Sequence, residues 1–162
     1  MRCLLLIAAI TLLFPALAAS ADSLSGDVGV GFHFSTGSTA FLLRYQHDAR
    51  PLSIFSTYYE ASYAFWNGPD HANAVGVAWG IQWARTTYDY LTLAVGLSHI
   101  SRTTPNLGQP FEFYGRAAYG INVGKALFSI GWTHYSDAKF LFGWSGPNNA
   151  ENFATLSLGI RF

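Results

Sequence analysis

Cysteine is almost absent: the 162 residues contain one, Cys3, ahead of an apolar run at the start of the chain. Disulfides and cysteine-held metal sites are therefore excluded from everything downstream. Charge is scarce as well. Asp, Glu, Lys and Arg make up 11% of the residues, and nine basic side chains balance nine acidic ones. Such a chain has no field to hold a polyanion, and nucleic acid is not expected as a partner. Asp70 beside His71 is too sparse for a metal site, so neither metal nor cofactor is expected. Also missing, beyond residue 21, is any apolar run near the roughly 18 residues that a membrane-spanning helix needs.

What is present is apolar and aromatic: 51% hydrophobic residues and 17% Phe, Trp and Tyr. A chain of this composition without spanning helices is expected to meet lipid as a β-barrel. Only helices and closed sheets satisfy their backbone polar groups in a bilayer.

The first residues, MRCLLLIAAITLLFPALAAS, give one Arg, an apolar run broken by Pro15, and then small residues. This is the pattern of a secretory signal peptide, cut after Ala18 or Ala21. The expected organisation is a removed signal over 1–21 and an outer-membrane barrel domain over 22–162.

Large apolar residues then alternate with small or polar ones. The segment near 74–84 is the clearest, with Val75, Val77, Trp79, Ile81 and Trp83 set against Ala74, Gly76, Ala78, Gly80, Gln82 and Ala84. The same period of two marks strands near 25–34, 39–46, 52–66, 90–100, 111–123 and 127–136, and a last one ending at Phe162. Eight strands leave an interior just wide enough for side chains. The fold class is thus all-β, an eight-stranded antiparallel transmembrane β-barrel with a filled interior, and not a porin. Asp27, Arg44, Glu60, Gln82, Glu112 and Arg116 fall on the inward face, where they can pair. His33 is also expected inside. The expected turn at one barrel end spans 47–51. A terminal Phe on the outward face is how many bacterial outer-membrane barrels end.

Strand seven, LFSIGWTHYS, carries Phe128, Ile130 and Trp132 on its lipid side, and the same parity continues to His134 and Ser136. Positions two apart on a strand are roughly 6.6 Å apart along the backbone, a gap that an imidazole and a hydroxymethyl group can close by leaning together. A serine esterase needs such a base, a group that orients it, and donors for the oxyanion. On spacing alone, the reading of His134, Tyr135 and Ser136 as interfacial polar and aromatic residues outweighs catalysis, because His-x-Ser is a short pattern.

The stretch His134-Tyr135-Ser136 on the penultimate strand, an acid beyond a Pro147-Asn148 loop, the segment Asn106-Leu107-Gly108 followed by Phe113 and Arg116, and the aromatic third strand YYEASYAFWNG together resemble the lipid A 3-O-deacylase (PagL-type) family of outer-membrane β-barrels. The resemblance covers most of residues 22–162. It implies a serine esterase that hydrolyses the 3-position acyl ester of lipid A in the outer leaflet, without a cofactor. It also implies Ser136 as nucleophile, His134 as general base and Glu151 as the carboxylate that orients the imidazole. Simple alternation back from Phe162 places Asn152 rather than Glu151 on the outward face, so either a bulge turns Glu151 outward or Asn152 orients the base as an amide.

Asp137 stands where the family typically has an asparagine, and an ionised carboxylate beside the serine would oppose a developing oxyanion. Lys139 replaces a glycine. The competing reading is a non-enzymatic small barrel with a structural or surface-binding role. Arg102 and Lys139 are candidates to meet lipid A phosphates. The expected partners are lipopolysaccharide as substrate and the surrounding outer-membrane lipid, with a homodimer left open.

Overall fold

The computed structural model describes residues 22–69, 71–138, 143 and 149–162. The expected signal peptide over 1–21 lies outside the described residues, as do Asp70, Lys139, Pro147 and Asn148.

Period-two alternation becomes eight strands: β1 (Ser23–Gly31), β2 (Thr39–Leu52), β3 (Phe55–Asn67), β4 (Ala72–Ala84), β5 (Asp89–Ile100), β6 (Phe111–Val123), β7 (Ala126–Asp137) and β8 (Glu151–Arg161). Each pairs antiparallel with its sequence neighbour, and β1 pairs with β8, which closes the barrel. Closure removes the free edges that would leave backbone groups unsatisfied in lipid. At one end the connections are short: 53–54, 85–88 and 124–125. The other end carries 68–71 and the longer connections 32–38, 101–110 and 138–150. The asymmetry is that of outer-membrane barrels, whose long loops face the cell exterior.

The outward face is the apolar one. Val28, Leu43, Tyr63, Val77, Val95, Ile130, Leu156 and Phe162 are all exposed in the isolated barrel, as a lipid-facing belt requires. Inside, a polar layer and an aromatic layer fill the lumen. Arg44 donates from Nη2 to Asp27 Oδ1 at 2.6 Å and reaches Glu60 Oε2 at 3.5 Å. Glu60 also accepts from Tyr114 Oη at 2.7 Å and from Gln46 Nε2 at 2.9 Å. Arg116 donates to the hydroxyls of Thr92 and Ser129 at 3.1 and 3.3 Å. The charges of Arg44, Asp27 and Glu60 are tolerable because they are paired and hydrogen-bonded, and Arg116 is held by hydroxyls. Nearer the long-loop end, Trp66 packs on Tyr135 and Phe153 with ring centroids 5.2 and 5.8 Å apart, and Tyr114 packs on Tyr135 at 5.4 Å.

Two local expectations are corrected. The turn expected over 47–51 is strand, because β2 continues to Leu52 through a register shift between Ala49 and Leu52. That irregularity takes up Pro51, which has no N–H for a ladder bond. His33 is exposed rather than inward. Alternation stops at Gly31, where a 3-10 turn over His33–Ser35 folds back so closely that a Cβ on Gly31 would collide with the Ser35 carbonyl. His33 itself takes a positive φ of 59°. Ser35 is thereby tucked into the barrel mouth.

Candidate active site

His134 and Ser136 lie at the long-loop end of β7, half-buried on the outward face, with Tyr135 and Asp137 turned inward. Their strand neighbours are fixed by register. Ser136 lies opposite Phe113 and His134 opposite Gly115 on β6, while His134 lies opposite Asn152 on β8. The β8 ladder runs from Ile160 to Glu151 without a shift, so no bulge intervenes and alternation from Phe162 holds to the end of the strand.

Asn152 is therefore outward and meets the imidazole: its Oδ1 lies 2.9 Å from His134 Nδ1. The same oxygen accepts from Trp132 Nε1 at 3.1 Å, and the Trp132 and His134 rings pack with centroids 5.3 Å apart. An indole N–H is only a donor, so Trp132 fixes which end of the Asn152 amide faces the imidazole. An amide oxygen only accepts, and the proton must therefore sit on His134 Nδ1. Nε2 is left with its lone pair, the tautomer that a general base needs.

The described hydrogen bonds of Glu151 lead away from His134. Glu151 is completely buried on the lumen side, where its carboxylate accepts from the Ser35 hydroxyl and from Asn106 Nδ2 at 3.1 Å. The physical reason is parity: adjacent residues of a regular strand point to opposite faces. Glu151 nonetheless bears on the site from below. The hydroxyl of Ser35 that bonds its carboxylate also accepts from the Asn152 backbone N–H at 2.8 Å, and the Asn152 carbonyl accepts from Phe32 N at 3.1 Å. Ser35 thus ties the first loop to the end of β8 on either side of the barrel wall.

Asp137 is 3% exposed and faces the lumen opposite Glu112, where Oδ2 is 3.4 Å from the Gly108 N–H. Its carboxylate is on the far side of the strand from Ser136, so the repulsion expected between this charge and an oxyanion does not arise from direct apposition. Arg102 donates to the His71 carbonyl at 2.7 Å, and Lys139 lies outside the described residues. His99 is outward on β5, packed edge-on against Phe111 at 5.1 Å and two strands from His134.

Sequence reasoning named His134, Ser136 and both alternatives for the orienting group. It missed Ser35, whose place depends on the close approach at Gly31, and the hydrogen bond of Trp132, which appeared only as an apolar residue of the alternating face. Among the described residues, no group of His, Asp and Glu is arranged to hold a metal ion.

The family model of lipid A 3-O-deacylases (PagL) matches residues 39–161. The chain belongs to this family. As a lipid A 3-O-deacylase it is an ester hydrolase and an outer-membrane β-barrel, with lipid A as its substrate. Its fold is similar to the crystal structure of the outer membrane enzyme PagL, with a TM-score of 0.67 at 18% identity over 86% of this chain and 99% of that one. A de novo designed transmembrane β-barrel superposes with a TM-score of 0.66 at 10% identity over 91% and 100% of the two chains. The Yersinia pestis outer membrane protein Ail, in a phospholipid bilayer nanodisc, gives 0.53 at 13% identity over 88% and 99%. No curated protein sequence matches the deacylase chain.

Proposed function

We propose that Ser136 is the nucleophile of the deacylase, His134 its general base and Asn152 the group that orients the base. In this reading the site works from the outer leaflet on the 3-position ester of lipid A. The observation that carries it is the bond from His134 Nδ1 to Asn152 Oδ1, 2.9 Å long, on the same outward face as Ser136.

Ser136 Oγ attacks the acyl carbonyl as its proton passes to His134 Nε2. The tetrahedral intermediate collapses with cleavage of the ester C–O bond, and the imidazolium returns the proton to the departing sugar oxygen. Water, deprotonated by Nε2, then attacks the acyl-serine, releasing the fatty acid and restoring the hydroxyl. Asn152 holds the ring and its tautomer throughout, as the asparagine of Cys-His-Asn hydrolases does. An amide stabilises the imidazolium less than a carboxylate, so geometry is its main contribution.

Mass spectrometry of lipid A incubated with refolded protein tests the assignment. Wild type removes one 3-hydroxyacyl chain, whereas Ser136→Ala and His134→Ala remove none while still migrating as heat-modifiable folded barrels. Undiminished turnover by Ser136→Ala would reject the nucleophile.

Two further parts of the reading rest on the sequence. Residues 1–21 are removed on export, which the intact mass of the membrane-extracted protein tests. Cross-linking in bilayers tests whether the homodimer left open by the sequence forms.

A further inference from the structure

At the short-turn end of the barrel, away from His134 and Ser136, β2 departs from its regular ladder. After Ala49 the register with β3 shifts, and Arg50 and Pro51 have no ladder partner before Leu52 meets Phe55. Thr57 shows where the irregular segment goes. By parity with Tyr59 it belongs to the outward face, yet it is buried, and its hydroxyl donates to the Arg50 carbonyl at 2.6 Å. The segment thus covers the wall at Thr57 as an overhang. Beside it is a recess of about 720 Å³ whose lining includes His47, Arg50, Leu52, Tyr59 and Trp79, a volume in the range of small-ligand sites.

The recess has an aromatic wall and a charged rim. His47 lies opposite Tyr59, and Tyr59 opposite Trp79, in one row across β2, β3 and β4, with all three side chains exposed. Arg50 on the rim is exposed as well, and among the described residues its guanidinium has no hydrogen-bond or ion-pair partner. Other cationic side chains at this end are engaged: Arg85 pairs with Asp89 at 3.6 Å, and His47 Nδ1 lies 2.9 Å from Asp22 Oδ1. The depth of the row is also informative. Tyr59 is eight residues down β3 from Asn67, which at strand rise and the usual barrel tilt is roughly 20 Å along the membrane normal. The recess therefore sits near the lower edge of the apolar band, at the level of the inner-leaflet head groups, where aromatic side chains gather.

We infer that this recess binds one glycerophospholipid of the periplasmic leaflet, with its phosphate on the Arg50 guanidinium and the roots of its acyl chains against Tyr59 and Trp79. The planar fork of an arginine matches phosphate oxygens, and the aromatic row supplies the apolar surface that the lipid half of the ligand needs. Asp48 lines the same recess. A carboxylate there opposes additional negative charge and favours a head group with a single phosphodiester and a cationic amine, which is the chemistry of phosphatidylethanolamine.

The test is photolabelling in bilayers by a phosphatidylethanolamine that carries a diazirine near its glycerol, at subsaturating probe, in wild type, Arg50→Gln and Arg85→Gln. Folding of each protein is checked by heat-modifiable migration. Wild type is expected to take label at 47–59 and at Trp79 above the level elsewhere on the barrel. Arg50→Gln should lose that excess about tenfold, the effect of one charge-assisted hydrogen bond, and Arg85→Gln should keep it. Label spread evenly around the wild-type barrel, or an equal fall in both variants, overturns the site. Loss of the excess on adding inorganic phosphate also overturns it, because the anion alone would then be the ligand.

Native mass spectrometry of protein released from micelles containing phosphatidylethanolamine gives a second readout. One retained lipid in wild type and Arg85→Gln, and none in Arg50→Gln, is the expected result, whereas equal retention in all three overturns the role of Arg50. Neither measurement uses lipid A turnover, so both hold whether or not Ser136 is the nucleophile.

Discussion

His134 Nδ1 and Asn152 Oδ1 lie 2.9 Å apart across the outer ends of β7 and β8, and this bond selects the imidazole tautomer. Asn152→Ala is expected to lower kcat by about 10²-fold or more, within the range for general-base catalysis. Asn152→Asp, which still accepts from Nδ1–H, should retain activity within about tenfold of wild type. Turnover of lipid A by the two variants, followed by mass spectrometry, checks the contrast. Full activity in Asn152→Ala would remove Asn152 from the site.

Trp132 locks the amide by donating to the same oxygen at 3.1 Å. Trp132→Phe keeps a ring against His134 but deletes the donor, a loss of about 1 kcal/mol for one hydrogen bond. The expected outcome is a severalfold fall in kcat with folding intact. Trp132→Leu should fall further because the ring contact is lost as well.

Glu151 acts through the barrel mouth. Glu151→Ala removes the carboxylate that accepts from the Ser35 hydroxyl and the Asn106 amide, and each lost hydrogen bond costs about 0.5–1.5 kcal/mol. Lower resistance to urea unfolding is the expected signature, together with reduced activity that Glu151→Gln restores in part. Intact stability with activity lost as completely as in His134→Ala would return Glu151 to the orienting role.

Asp137→Asn is expected to change kcat less than tenfold, since the carboxylate faces the lumen opposite Glu112 rather than Ser136. A large rise in activity would mean that the charge reaches the oxyanion despite the strand between them.

Arg44→Met leaves Asp27 and Glu60 without their cation in the lumen. Breaking a buried pair in this way costs about 3–5 kcal/mol. Denaturant unfolding in detergent should show it, and double replacement with Asp27→Asn should recover part of the loss.

Much of this was legible in the primary structure because one rule governs the barrel: a period of two with large apolar residues outward. Trp79, Ile81 and Trp83 fixed the faces of β4 as clearly as Phe128, Ile130 and Trp132 fixed those of β7. The outward placement of Asn152 was legible too, since counting back from Phe162 gives Asn152 and the unbroken β8 register agrees. Expecting the carboxylate set chemical type above parity. Ser35 was not legible because its position comes from a chain reversal after Gly31 that no periodicity encodes. Asp137 follows Ser136 in sequence, but adjacent residues of a strand point to opposite faces, and Asp137 is inward.

The outward placement of His134 and Ser136 has a kinetic side. A site that opens sideways into the leaflet meets its substrate by lateral diffusion in two dimensions, so the concentration that matters is the mole fraction of lipid A in the surface. In mixed micelles the rate should therefore fall when inert detergent is added at constant bulk lipid A. An enzyme that drew its substrate from the aqueous phase would be indifferent to such surface dilution.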